Sequence, residues 1–190
     1  MVLSKVGLTG VTGMLGRHVR AALKKKDIQV VAVSKNSQGS SSVFSWNMEC
    51  WKSFTELDAL FAGAQAVIHA GAMVQTSQSI DEGKMYTVNV RACGNLGMWA
   101  LSRGVPLVHI SSATVYADIS SENITENCPL GWSELGGFYG FTKICAEDVL
   151  MRLKQQGLQL AIVRPSSLYG YGLPINKMIN KFIRLAKADG

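Results

Sequence analysis

Apolar positions along the chain form two alternating patterns. The segment Ile28–Val33 is a short run rich in β-branched residues, which is typical of a strand buried on both faces. In Met14–Lys26 the apolar residues recur every three or four positions, as on one face of a helix. The first pattern predicts strands at Lys5–Thr9, Ile28–Val33, Ala66–Ala70, Pro106–Ser111 and Leu158–Val163. The second predicts helices at Met14–Lys26, Phe54–Phe61, Ile80–Arg103, Phe138–Gln156 and Ile175–Ala188.

This alternation of strands and helices predicts an α/β fold, a Rossmann-like doubly wound parallel sheet flanked by helices on both faces. Ligands of such sheets bind at the carboxyl ends of the strands. Ser37–Ser45 is rich in Ser and Gly and is predicted to be a loop. We expect the long irregular segment Asp118–Gly137 to line or cover a site. We expect residues 1–190 to form one domain.

Composition narrows the class of protein. Of the 190 residues, 47% are hydrophobic and 17% charged, which is typical of a globular protein and excludes a disordered or collagen-like chain. No run approaches the roughly 18 apolar residues that a membrane helix needs, and the glycine-broken N-terminus does not resemble a signal peptide. The four cysteines have no metal-ligand spacing, so we expect no metal site and a cytoplasmic location.

The net charge of +6 comes entirely from residues 151–190, which hold seven Lys or Arg and one Asp. Three interpretations stay open: a nucleic-acid surface, a site for an anionic small molecule, and a solvated helix face. The aromatic residues of this region, Tyr169, Tyr171 and Phe182, are too scattered for a base-stacking surface. We therefore expect a small-molecule substrate, and neither a nucleic acid nor a membrane as partner.

The first predicted strand leads into a GxxGxxG turn built on Gly10, Gly13 and Gly16. In a dinucleotide-binding turn the first glycine permits the sharp bend, the second lets a pyrophosphate approach the backbone, and the third lets helix and strand pack closely. The unpaired N–H groups of the following helix then face the phosphates. The alternative is a tight turn without a ligand.

The end of the second strand bears on which cofactor binds. In NAD-binding relatives of this fold an acidic residue there binds the ribose hydroxyls, but Ser34 and Lys35 stand here, and no Asp or Glu occurs between Asp27 and Glu49. A hydroxyl and a cation suit a 2′-phosphate, so we predict that NADP is favoured over NAD. Arg17 is a second candidate for the phosphate. The alternative is that Lys35 is an ordinary surface lysine.

A YxxxK motif, Tyr139 to Lys143, opens the predicted helix Phe138–Gln156. Residues four apart share a helix face, so the phenol and the ammonium can address one pocket. A nearby cation is expected to lower the pKa of a tyrosine and make it an effective acid or base. Ser112, at the end of the preceding strand, would hold the same substrate oxygen.

With these residues in place, the chain resembles the extended branch of the short-chain dehydrogenase/reductase superfamily, which contains nucleotide-sugar epimerases, dehydratases and reductases. The resemblance runs almost end to end, through the motifs TGVTGMLG at 9–16, VIHAGA at 67–72, NVRACGNL at 89–96, HISSATVYA at 109–117, YGFTK at 139–143 and RPSSLYGYG at 164–172.

The resemblance implies a role for each matching residue. Tyr139 matches the general acid/base, Lys143 the lysine that binds the nicotinamide ribose, Ser112 the hydroxyl that polarises the substrate, and Thr114 a substrate-binding residue. Asn89 matches a helix residue near the active site, with a structural role as the alternative. The predicted cofactor-binding residues are Gly10, Thr12, Gly13, Met14, Leu15, Gly16, Ser34, Lys35, Asn47, His69, Ala70, Gly71, Ala72, Tyr139, Lys143, Pro165 and Ser167.

The implied activity is an NAD(P)-dependent oxidoreductase or epimerase acting on a hydroxyl or carbonyl carbon of a nucleotide sugar. Ala113 and Thr114 replace the Asp-Glu pair of the sugar 4,6-dehydratases, which argues against that elimination. The smaller substrate-binding domain of the family is expected to be largely absent from residues 1–190. The family also implies a homodimer formed through the helices Ile80–Arg103 and Phe138–Gln156. A non-catalytic dinucleotide-binding regulatory module is the alternative function.

Overall fold

The computed structural model describes residues 3–36, 43–74, 81–118, 120, 122–170, 182–183 and 185–186. Six parallel strands form one sheet in the order β3-β2-β1-β4-β5-β6. They are β1 Lys5–Thr9, β2 Gln29–Ser34, β3 Val43–Ser45, β4 Ala66–His69, β5 Leu107–Ile110 and β6 Leu160–Val163. The predicted parallel α/β sheet is confirmed, and the order in which the chain adds strands to the sheet reverses between β1 and β4.

The helices are α1 Met14–Lys24, α2 Phe54–Leu60, α3 Glu82–Tyr86, α4 Ala92–Arg103 and α5 Gly137–Gln155. A π turn, Thr87–Arg91, joins α3 to α4, so helical structure is continuous from 82 to 103. A 3₁₀ turn follows β5 at Ala113–Val115. The predicted helix Ile175–Ala188 lies largely outside the described residues. None of the helices in the described part of the chain is both long and apolar enough to cross a membrane.

Alternate residues of β2 show how the two faces of the sheet are covered. Val31 and Val33 pack into the large core under α2, α4 and α5, whereas Ala32 belongs to a smaller cluster. That second cluster holds Leu8 and Val11 and packs against Val19 of α1. Because successive strand residues point to opposite faces, α1 covers one face and the helices α2, α4 and α5 cover the second.

Two irregular regions differ from the prediction. Part of the predicted loop Ser37–Ser45 is the edge strand β3, whose three residues pair with the end of β2. The strand was missed because three residues are too few to show an alternating pattern. The segment Asp118–Gly137 was expected to line or cover a site, but none of its described residues lines the cavities described below.

The region around Asp118–Gly137 is instead fastened to the end of β6. Arg164 forms a bidentate ion pair with Glu147 of α5, whose side chain is 2% exposed, with the closest contact at 2.7 Å. Its remaining nitrogen, Nη1, donates to the Tyr116 hydroxyl at 3.2 Å and to the Glu126 carbonyl at 3.0 Å. A single guanidinium therefore ties α5, β6 and the loop after β5 together, directly before Pro165.

Candidate active site

The glycine turn after β1 is shaped by close contact with the end of β4. Gly10 has φ +72°, and a Cβ there would lie 2.7 Å from the carbonyl group of Ala70. A Cβ on Gly16 would overlap the carbonyl oxygen of Gly10, so the first turn of α1 can pack on the loop only with glycine at this position. The two glycines thus hold the turn, the helix and the neighbouring strand end together.

The N-terminus of α1 has the features of an anion site. Its N-cap residue is Gly13, which has no side chain to satisfy the N–H groups of the first turn, and that turn contains no acidic residue. Helix N-termini carry partial positive charge and bind phosphates through such groups. The turn therefore fits the pyrophosphate of a dinucleotide, as the spacing of the glycines predicts.

A cleft runs along the carboxyl ends of the strands and consists of two cavities that share Gly10, Gly13, Ala70 and Ala72. The smaller cavity has a volume of 340 Å³ and lies at the ends of β2 and β3. Trp46 and Met48 contribute apolar surface to it. Its predicted cofactor-binding residues are Gly10, Thr12, Gly13, Ser34, Lys35, Asn47, Ala70, Gly71 and Ala72.

The polar groups of the smaller cavity require a correction to the sequence analysis. Lys35 is not an unopposed cation, because its Nζ lies 2.7 Å from a carboxylate oxygen of Glu49. Glu49 lies fifteen residues beyond Ser34 in the chain, and the loop after β3 brings it back to the end of β2. The Ser34 hydroxyl lies 3.1 Å from that of Thr12. Arg17 is exposed and does not line the cleft.

The larger cavity, of 560 Å³, lies where β5 and β6 end and α5 begins. It brings together the three predicted catalytic residues, Ser112, Tyr139 and Lys143. The predicted cofactor-binding residues that line it, besides Tyr139 and Lys143, are Gly10, Gly13, Met14, Leu15, Gly16, Ala70, Ala72, Pro165 and Ser167.

Lys143 is held in an unusual environment for a cation. Its side chain is buried, and its Nζ donates a hydrogen bond of 2.8 Å to the Ile110 carbonyl at the end of β5. Burial disfavours the charged form and lowers the pKa of the ammonium to about 8. The same Nζ lies 5.9 Å from the centroid of the Tyr139 ring.

The expected lowering of the tyrosine pKa is wrong for this structure. Burial raises the pKa of Tyr139, because the phenolate loses its hydration. Lys143 does not offset this effect, since its hydrogen bond is made to the Ile110 carbonyl. Tyr139 is therefore protonated at neutral pH and can donate a proton into the cavity.

Ser112 and Thr114 form a small hydroxyl pair. The Ser112 Oγ accepts hydrogen bonds from the Thr114 hydroxyl at 2.9 Å and from the Thr114 N–H at 3.2 Å. With both donors on its lone pairs, the Ser112 hydroxyl proton is free to point into the cavity. Thr114, predicted to bind substrate, lines neither cavity. It orients Ser112 instead.

Two buried polar residues hold the loop after β4. The Thr9 hydroxyl accepts from the Gly71 N–H at 3.0 Å and lies within hydrogen-bond distance, 2.8 Å, of Nδ1 of His69. Asn89 accepts from the Met73 N–H at 2.7 Å and donates to the Met73 carbonyl at 2.9 Å. His69, predicted along the cofactor, is buried and lines neither cavity. Asn89 also lines neither cavity, and its side chain holds the loop after β4, whereas the alternative expected a structural cap inside its own helix.

His69 also belongs to a buried cluster with Cys93 and His109, whose potential ligand atoms lie within 4.8 Å of one another. Its environment opposes a metal ion. Burial raises the pKa of the Cys93 thiol to about 12, so the thiol is protonated, although the lowered pKa of His69 keeps that imidazole in the neutral form that binds metals. The Lys143 ammonium is close enough to lower the pKa of both histidines further and would repel a second cation.

Three polar residues of the cleft were not singled out from the sequence. Glu49 and Lys84 line the smaller cavity, and their separation in sequence gave no signal of their contact. Ser111 lines the larger cavity with a buried hydroxyl that has no hydrogen-bond partner among the described residues. Its position next to Ser112 at a strand end was the available signal. An unpartnered buried hydroxyl is costly, which suits a group that a ligand satisfies.

The chain is similar to known proteins in sequence and in structure. A ketoreductase of Stigmatella aurantiaca, acting on 4-hydroxy-2-methyl-3-oxo-4-farnesyl-3,4-dihydroquinoline-1-oxide, is 27% identical over 86% of this chain and 50% of its own length. A short-chain dehydrogenase/reductase superfamily protein from Agrobacterium tumefaciens, solved with bound NAD, is 28% identical with a TM-score of 0.70, covering 84% of this chain and 48% of that one.

A third comparison is with a dTDP-4-dehydrorhamnose reductase from Clostridium acetobutylicum. It is 25% identical with a TM-score of 0.75, and the match covers 97% of this chain and 60% of that chain. The present chain thus spans about half to three fifths of the length of these relatives. The sequence model of one family matches residues 6–190. The parallel sheet, the glycine turn and this match together show that the chain belongs to the NAD dependent epimerase/dehydratase family.

Proposed function

We propose that the protein is an NAD(P)-dependent oxidoreductase that acts on a hydroxyl or carbonyl carbon by hydride transfer. The observation that carries the proposal is that Ser112, Tyr139 and Lys143 line one cavity, continuous with the glycine turn. The bare N-terminus of α1 and the unpartnered Ser111 hydroxyl fit a dinucleotide bound along the cleft. A bound nicotinamide would supply or accept the hydride.

Three residues of the larger cavity would bind the substrate oxygen, transfer the proton and bind the cofactor. Ser112, oriented by Thr114, donates its hydroxyl proton to the substrate oxygen and holds it beside Tyr139. Tyr139 moves the proton to or from that oxygen. Lys143, fixed by the Ile110 carbonyl, places a positive charge beneath the tyrosine ring and can hydrogen-bond a ribose hydroxyl with its remaining N–H groups.

The raised pKa of Tyr139 favours the reductive direction. A phenol that stays protonated at neutral pH is ready to donate to the oxygen of a carbonyl as hydride reaches the carbon. The oxidative direction requires the phenolate, which burial disfavours. Two of the compared relatives are reductases by name, which supports the same direction. We therefore propose carbonyl reduction, with epimerisation as the second candidate.

For the substrate we propose a nucleotide-activated sugar. The dTDP-4-dehydrorhamnose reductase supports this class, and the Stigmatella ketoreductase shows that a relative can act on a carbonyl that is not in a sugar. The regulatory module without catalysis stays the alternative. It would bind a dinucleotide with no turnover, although this chain retains both Tyr139 and Lys143.

The proposal is tested by following oxidation of reduced nicotinamide with a panel of keto-sugar nucleotides and simple ketones. We expect Tyr139→Phe to lower kcat by about 10²–10⁴-fold while dinucleotide binding is retained. Tyr86→Phe is the matched control, because Tyr86 is exposed and lines neither cavity. Equal activity of wild type and Tyr139→Phe would refute the role of Tyr139, and binding without turnover of any carbonyl would favour the regulatory alternative.

We further propose a preference for NADP over NAD, a cytoplasmic location and a homodimer built on the predicted helices Ile80–Arg103 and Phe138–Gln156. Partly exposed apolar side chains on α4 and α5, among them Met98, Phe141 and Met151, support the dimer. Sedimentation that shows only monomer at high concentration would contradict it. Ser34→Asp places a carboxylate at the end of β2 and is expected to weaken NADP binding selectively.

A further inference from the structure

Three charged side chains from separate elements meet at the rim of the smaller cavity. Lys35 follows β2, Glu49 lies in the loop after β3, and Lys84 belongs to α3. One carboxylate oxygen of Glu49 is 2.7 Å from the Lys35 Nζ, and the other is 3.0 Å from the Lys84 Nζ. All three residues line the cavity.

The arrangement is a two-cation site that holds one carboxylate of the protein itself. Hydrogen bonds from Lys35, the larger effect, and from Lys84 lower the pKa of Glu49, so the carboxylate is ionised at neutral pH. The group carries one net positive charge. If the carboxylate moved away, the two ammonium groups that it now bridges would face the cavity, which is the chemistry that binds a phosphate.

The ligand group that would bind between the two lysines follows from the orientation of a dinucleotide along the cleft. This step rests on the proposed function. With the pyrophosphate at the glycine turn and the reacting end beside Tyr139, the adenosine half lies in the smaller cavity. The 2′ position of its ribose carries a hydroxyl in NAD and a phosphate in NADP. The cluster at the rim is thus suited to contact the group that distinguishes the two cofactors.

We propose that Glu49 sets the cofactor preference of this protein by competing with the 2′-phosphate of NADP for Lys35 and Lys84. With NAD bound, the carboxylate keeps both lysines. With NADP bound, the phosphate takes the lysines, and Glu49 turns toward solvent, to which its side chain is already 29% exposed.

Ser34 itself is a weaker candidate for this role. Its side chain is buried, and its hydroxyl lies 3.1 Å from that of Thr12, so it is already engaged in the turn. Lys35 and Lys84 have side chains that are 57% and 36% exposed, which leaves both free to reorient toward a ligand. The charge at the rim, and not the hydroxyl beneath it, can therefore respond to the 2′ substituent.

The test is a set of binding titrations at fixed ionic strength with NADP⁺, NAD⁺, 2′,5′-ADP and 5′-AMP. We expect Glu49→Gln to tighten binding of NADP⁺ and 2′,5′-ADP by about tenfold or more, and to change NAD⁺ and 5′-AMP by less than about threefold. We expect Lys84→Met to weaken the two 2′-phosphorylated ligands by about tenfold and to leave the other two nearly unchanged. Asp148→Asn, which removes an ion-paired acid on α5 away from the cleft, is the control for net charge and should leave all ratios unchanged.

The outcomes separate this inference from the proposed function. A wild-type protein that binds none of the four ligands would refute dinucleotide binding and the inference together. A wild-type protein that binds both dinucleotides, with the same NADP⁺ to NAD⁺ affinity ratio in Glu49→Gln, would overturn the role of Glu49 alone. A ratio that shifts equally in Asp148→Asn would also overturn it, because the effect would then be one of overall charge.

Discussion

The buried ammonium of Lys143 provides a quantitative test of the site, because its cost to stability depends on pH. Its pKa falls from an ordinary value of 10.5 to about 8 in the folded protein, mainly through desolvation. Below pH 8 the lysine is charged in both folded and unfolded chains, and the penalty is fully present. Between pH 8 and 10.5 the folded protein has lost the proton and the unfolded chain has not, so stability rises with pH through this window.

The size of the penalty follows from the same shift. At pH 7, a fall from 10.5 to about 8 corresponds to about 3 kcal/mol of unfolding free energy. Lys143→Met keeps a long side chain and removes the charge, but it also leaves the Ile110 carbonyl without its hydrogen bond, at a cost of about 1 kcal/mol. We therefore expect the variant to be about 2 kcal/mol more stable than wild type at pH 7, and slightly less stable above about pH 10.5.

The measurement is urea unfolding of wild type and Lys143→Met at a series of pH values from 7 to 10.5. Groups that titrate equally in the two proteins cancel in the difference, which leaves the contribution of Lys143. The difference is expected to shrink as pH rises and to change sign near the top of the range. A difference that stays constant with pH would refute the argument, since it would show that the lysine is not buried as a cation. Dinucleotide binding should weaken in the same variant.

Two further sets of variants test the packing of the glycine turn and the buried ion pair. Gly104→Ala and Gly10→Ala both place alanine at positive φ, but a Cβ meets nothing within 4 Å at Gly104 and backbone atoms at 2.7 Å at Gly10. We expect Gly104→Ala to lower the free energy of unfolding by about 1 kcal/mol, and Gly10→Ala to lower it by about 1–3 kcal/mol more. Equal losses in the two variants would contradict the close contact between Gly10 and Ala70. Arg164→Leu leaves Glu147 buried and unpaired, so it should cost about 3–5 kcal/mol, and the double variant with Glu147→Leu should recover much of that loss. A double variant as unstable as Arg164→Leu would show that the unpaired charge is not the cause.

The fold could be predicted because its signals are local. The segments that form β2 and β4 are mostly apolar, and stretches of helical spacing lie between the predicted strands, so the order of elements could be predicted from pattern alone. Strand β3 was missed, since Val43–Ser45 owes its conformation to pairing with β2 and not to its own residues. The steric requirement for glycine at Gly10 and Gly16 also followed from local sequence, because a strand, a tight turn and a helix occur there in direct succession.

Contacts within the site could be predicted only between residues that lie on the same helix or at the same strand end. Tyr139 and Lys143 share one helix, and their common cavity follows from the spacing of four. The partner of Lys35 could not be inferred in this way. Glu49 reaches it only because the short strand β3 pairs in parallel beside β2, so the contact depends on tertiary structure. The sign of the Tyr139 pKa shift failed for a similar reason, since it depends on which acceptor Lys143 finds and on how deeply the phenol is buried.

Three features that oppose stability lie along the cleft. Lys143 is a buried cation with a lowered pKa, Ser111 has a buried hydroxyl without a partner among the described residues, and the N-terminus of α1 has no side-chain cap. Perturbed titration and unpaired polar groups are typical of sites where a protein binds a ligand. The contrast is the Glu147–Arg164 pair, which is equally deep at its carboxylate but fully matched in charge, and which lines neither cavity. A ligand that satisfies Ser111 and the bare end of α1 would relieve two of these costs at once, so binding should stabilise the fold along the whole cleft and not at one contact.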